Sequence, residues 1–141
     1  MSSTTTVKPA PNLIDLLTAF KNNIIKFFEA LIELLPNEGD FYHLRVLFEY
    51  QIPIESAMKI FSNRILPHQE MVLAKDDRFF IETTDLFAGL RRDKVSYFKD
   101  LWQSGNLTAQ DKEALWTWFT VFLRYANKYQ ELVDKGLASD I

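Results

Sequence analysis

Apolar residues recur at spacings of three and four along most of this chain, and that period predicts helices. Between Asn12, a candidate N-cap, and Leu35, just before Pro36, they fall at Leu13, Leu16, Leu17, Phe20, Ile24, Phe27, Phe28, Leu31 and Leu35. Ile14, Ile25 and Ile32 widen this face until about half the circumference is apolar, with Asp15, Asn22, Lys26, Glu29 and Glu33 on the remainder. Pro36-Asn37-Glu38-Gly39-Asp40 is turn chemistry, and Asp40 can cap a short helix to about Tyr50 with Phe41, Leu44, Leu47 and Phe48 turned inward. Pro53 suits the first turn of a third helix running to about Ile65, and Pro67 stops it.

The stretch from His68 to Gly89 has the weakest pattern. It offers a short helix to Leu73, a charged break at Lys75-Asp76-Asp77-Arg78 and the apolar run Phe79-Phe80-Ile81. A lone strand there would have no partner, so helical turns packed on the core are expected. Asp93 to Gln103 reads as a helix with Tyr97, Phe98, Leu101 and Trp102 inward, closed by Ser104-Gly105-Asn106. Thr108 followed by Asp111 resembles a capping box with Asp in place of the usual Glu, and it opens the clearest helix, which ends near Gly136. Its core face is Leu115, Trp118, Phe119, Phe122, Ala126, Tyr129 and Val133.

These elements predict an all-α fold, a bundle of about five or six helices in which the long N- and C-terminal helices pack together. Residues 1–11 hold small polar residues, one lysine and two prolines, a composition expected of a flexible arm. Residues 12–136 then form one helical domain and 137–141 a short tail.

Composition sharpens this picture at two points. Aromatic residues make up 14% of the chain against only 4 glycines, which suits packed helices better than a loop-rich sandwich. The absence of cysteine removes disulfides, thiolate metal sites and a cysteine nucleophile. With 16 basic and 19 acidic residues the formal charge is −3, which argues against dedicated nucleic-acid binding; the densest basic stretch, Arg91-Arg92-x-Lys94, is interrupted by Asp93. No run approaches the roughly 18 to 20 apolar residues of a membrane span, and the N-terminus has no apolar signal core, so an intracellular protein is expected.

Candidate chemistry is sparse. His43 and His68 share no metal-ligand spacing, and Ser56, Ser62, Ser96 and Ser104 lack the nucleophile-elbow pattern. Asp76, Asp77, Glu82 and Asp85 cluster without the regular spacing of a calcium loop. No catalytic residue, metal ligand or cofactor is therefore assigned. The apolar arc of the last helix offers the main candidate surface, because Trp116 and Tyr125 lie about 180° apart on its wheel, at opposite margins of the core face. Both fit core packing as well as they fit partner binding, and at least one of them is expected to touch a protein partner or a second copy of the chain.

At Phe79-Phe80, Phe98-x-x-Leu101-Trp102, Leu107-Thr108, Lys112 and the Leu115-Trp116-x-Trp118-Phe119 to Tyr125 run, the chain resembles short helical proteins encoded by large DNA viruses of eukaryotes, of the mimivirus and phycodnavirus kind. In those proteins a short helix ending in Leu-Trp precedes a capped helix with an Ile-Trp-x-aromatic core; Leu115 and Trp118 depart from that pattern. The similarity covers the C-terminal half. It implies a virus-encoded protein made in the host cytoplasm or nucleus, or a capsid-associated virion component, and it transfers no catalytic residue. The sequence thus points to a non-enzymatic structural or interaction protein. Its rivals are an adaptor acting on a host or viral protein and a small enzyme using the Asp76 to Asp85 segment.

Overall fold

The first predicted helix forms as α1, Leu13–Leu34, and its buried positions Leu16, Leu17, Phe20, Ile24, Phe27, Phe28 and Leu31 keep the three-and-four spacing of one helical face. The structure is a computed structural model, and it describes residues 13–36, 39–82 and 102–138. The expected N-terminal arm, the Arg91 to Lys94 stretch, the inward set Tyr97, Phe98 and Leu101, and the tail beyond Ala138 lie outside the described residues.

After the turn at Pro36 comes α2, Gly39–Val46, which continues as a π-helical turn over Leu47–Gln51. The predicted helix to Tyr50 is thus present, but its last turn is wider than an α turn. Its end is marked by the Ile52 amide, which donates to the Leu47 carbonyl at 2.8 Å. Ile52 itself is extended, as a residue before proline must be, and Pro53 caps α3, Ile54–Ile65, from outside rather than within its first turn.

A 3-10 turn at Leu66–His68 leads into α4, Gln69–Leu73. That helix closes with Lys75 in the left-handed region, φ 54°, where Asp76 N–H reaches the Met71 carbonyl and Lys75 N–H the Val72 carbonyl. This is the Schellman arrangement with lysine where glycine is usual. The Phe79-Phe80-Ile81 run is helical, in α5, Arg78–Glu82. Trp102 and Gln103 are helical, and they precede Leu107 and the final helix α6, Ala109–Asp134.

The capping box predicted for α6 is complete: Asp111 N–H donates to Thr108 Oγ1 at 3.0 Å, and Thr108 N–H donates to Asp111 Oδ2 at 2.9 Å. At the other end Gly136, φ 75°, supplies a second Schellman closure, with Leu137 N–H bonded to the Leu132 carbonyl at 2.8 Å.

The two long helices pack in opposite directions, since Phe20 meets Tyr125 while Phe27 meets Trp118. Helix α3 closes the same core: Phe61 lies 5.6 Å from Phe20 and 5.8 Å from Phe122, ring centre to ring centre. Helix α2 with its π turn covers the far side of α1 through Phe41, Leu44 and Phe48, the last 5.5 Å from Phe28. The described residues therefore make an all-α fold around one continuous aromatic core.

Candidate protein-interaction surface

Helix α6 buries more of itself than its sequence face suggests. Trp116, Leu123 and Leu132 join the expected Leu115, Phe119, Phe122, Ala126 and Tyr129 in the interior, while Trp118 and Val133 are only half-buried. The core face is thus rotated toward Trp116. Tilted or edge-on ring pairs surround Trp116: Phe80 at 4.8 Å, Trp102 at 5.4 Å and Phe79 at 6.2 Å. Trp102 in turn stacks on Phe80 at 4.2 Å and carries the Lys112 ammonium over its outer face at 5.1 Å.

Of the two readings open for Trp116, the described residues place it in core packing. The side chain is 3% exposed, because the run predicted to be awkward, Phe79-Phe80, folds over that flank of α6. Tyr125 is half-buried on the opposite flank, with its ring edge-on to Phe20 at 6.2 Å and its hydroxyl accepting a 2.8 Å hydrogen bond from Asn23 Nδ2. The two residues chosen from the sequence are not brought together, and each is held by neighbours within the domain.

An apolar groove lies between α1 and α6, lined by Phe27, Leu31, Leu34, Ala114, Leu115 and Trp118, with Asp111 also on its wall. At about 140 Å³ it accommodates one side chain, well below the roughly 300 Å³ at which small-molecule pockets begin.

In the acidic segment, Asp76 is engaged by its neighbour Arg78. Asp76 accepts the Arg78 backbone N–H at 3.0 Å and takes the Arg78 guanidinium on both oxygens, at 2.6 to 3.2 Å. Those hydrogen bonds hold its carboxyl below the ordinary carboxylate value, so the anion is favoured where Asp76 precedes α5. Lys75, on the same bend, pairs with Glu113 of α6. The Glu82 side chain and Asp85 lie outside the described residues. Among the described residues no three His, Asp or Glu side chains converge as a metal site requires. His43 is exposed, His68 lies edge-on to Phe79, and Ser62 is buried in α3 with its hydroxyl unpartnered.

A surface the sequence reading did not select stands out on α2. Tyr42, Val46 and Tyr50 are 54%, 42% and 75% exposed and follow one another at intervals of four. Four α-helical residues overshoot one turn, whereas four residues of the wider π turn fall short of one, so the change of helix type keeps the three side chains in line. The signal was present in the sequence as a second four-residue register beside the inward set Phe41, Leu44 and Phe48.

Beside this stripe, Glu29, Ile32 and Glu33 of α1 and Tyr42 and Arg45 of α2 line an open cleft of about 490 Å³. Arg45 is tied down within it, 3.2 Å from Glu29 and 3.3 Å from Glu49. That triad fixes α2 on α1 and, being partly exposed, adds at most about 1 kcal/mol per pair. Glu33 is exposed on the rim and has no ion-pair partner among the described residues.

No helix among the described residues is long and apolar enough to cross a membrane. Comparison with protein families, with curated proteins and with solved structures gives no match to this chain.

Proposed function

We propose that this chain is a non-enzymatic structural or protein-interaction protein that joins an assembly through the Tyr42, Val46 and Tyr50 stripe. The observation that carries the reading is the alignment of three large side chains, all more than two-fifths exposed, while the other described aromatic side chains are buried or half-buried. Apolar area left in water forgoes about 25 cal/mol per Å², and tyrosine is enriched among residues that dominate binding energy. The resemblance of the C-terminal half to helical proteins of large DNA viruses supports a virion, with a capsid-associated place in it, as the first assembly to examine.

The test is affinity purification of the tagged full chain from cells that produce it, with Tyr42→Ser/Tyr50→Ser as the comparison and quantitative mass spectrometry as the readout. Recovery of a reproducible partner, or of a second copy of the chain, should fall at least tenfold in the double variant while its melting temperature is unchanged. An identical set of partners for the two proteins would overturn the reading. Mass spectrometry of purified particles separates a virion component from an adaptor left behind in the cell.

A further inference from the structure

The charges around the stripe are not balanced. Among the described residues that line the cleft or pair with its arginine, three are carboxylates, Glu29, Glu33 and Glu49, against the single guanidinium of Arg45. Arg45 is shared between Glu29 and Glu49, which leaves Glu33 without a salt bridge among the described residues. An acidic rim along an apolar stripe excludes acidic partners by repulsion and favours cationic ones, and the cleft between Glu33 and the exposed Tyr42 ring is chemistry suited to an ammonium or guanidinium.

From this complementarity we propose that the stripe receives a basic amphipathic helix of a partner protein, with the partner's apolar residues on Tyr42, Val46 and Tyr50 and a Lys or Arg between Glu33 and Tyr42. The stripe spans about 12 Å, or two turns, which matches the helix-in-groove mode in which residues at intervals of three and four are the anchors. The inference rests on the interaction reading above and adds the chemistry of the partner.

Three synthetic helical peptides of about 18 residues, with identical leucine positions and Lys, Gln or Glu on the polar face, provide the probe. Binding to the full chain is measured by fluorescence anisotropy at low and physiological salt. The Lys peptide should bind at least tenfold more tightly than the Glu peptide, weaken as salt rises, lose at least tenfold on Tyr42→Ser/Tyr50→Ser and weaken severalfold on Glu33→Lys. Equal binding of all three peptides that still depends on the two tyrosines would overturn the basic partner and leave the interaction reading intact. Binding of the Lys peptide that is equal for wild type and the tyrosine variant is adsorption by charge and overturns the docking site. Failure of every peptide to bind also overturns it, and the co-purification experiment then decides the interaction reading separately. Circular dichroism of each variant confirms that the fold is retained.

Discussion

Helix α6 and the α2 segment carry their aromatic residues to opposite ends. The longer helix is apolar over more than half its circumference, yet α1, α3 and the Phe79-Phe80 turn cover most of that surface, and Trp116 is enclosed. The shorter one has little apolar excess, yet it leaves two tyrosines and a valine in water. Width of an apolar arc therefore measures how many neighbours a helix has. It does not say whether those neighbours belong to the same chain.

The largest effect that can break this contrast lies at the two tryptophans of α6. Trp116→Ala should cost about 3 to 5 kcal/mol in chemical denaturation, because it empties a site packed between three aromatic rings. Trp118→Ala, at the half-buried margin, should cost less, about 1 to 2 kcal/mol, since part of its ring already meets solvent. The reverse order would return Trp118 to the core and open the flank of Trp116. Next comes the far flank: Tyr125→Phe removes the hydroxyl that receives the Asn23 amide and should cost about 1 kcal/mol. No loss would mean that water satisfies Asn23 equally well. Thr108→Ala should lower stability by a similar 1 kcal/mol or slightly less through the capping box.

On the other side of the comparison, Tyr42→Ser and Tyr50→Ser should each change stability by no more than about 0.5 kcal/mol, the range of ordinary surface positions. A loss as large as that at Trp116 would show that the stripe packs against the protein itself. The smallest effect concerns Asp76, whose carboxyl is held below its ordinary value of 3.8 by Arg78. A lowered value means that the charged form is the stabilised one. The contribution is present above pH 4, and is lost as pH falls through the lowered value. The stability difference between Asp76→Asn and wild type should accordingly shrink on acidification, and a difference constant from pH 6 to pH 2 would show that the carboxylate charge plays no part.

Much of this fold is legible from local chemistry. The Thr108 and Asp111 capping box, Gly136 beyond the last turn and the prolines at 36, 53 and 67 mark helix ends to within a residue or so, because each acts through backbone groups next to it. The burial of Trp116, by contrast, is not decided by local chemistry. A wheel ranks positions along one helix, whereas the cover over Trp116 comes from Phe79, Phe80 and Trp102, which local periodicity does not bring near it. Tyr42, Val46 and Tyr50 were passed over because their pattern is indistinct until Phe41, Leu44 and Phe48 are known to point inward and the last turn is known to be π. No motif with fixed chemistry marked either surface, and here exposure did what spacing could not.

Which aromatic residues are covered when the protein meets its partner decides where its interface lies. Hydroxyl-radical footprinting, read by mass spectrometry, compares the purified chain with the complex recovered from producing cells. In the free chain Tyr42 and Tyr50 should be modified rapidly and Trp116 barely, and in the complex Tyr42 and Tyr50 should become protected while Trp118 and Tyr125 keep their rates. Protection confined to Trp118 or Tyr125, with Tyr42 and Tyr50 modified as before, would place the interface on α6 and contradict the account.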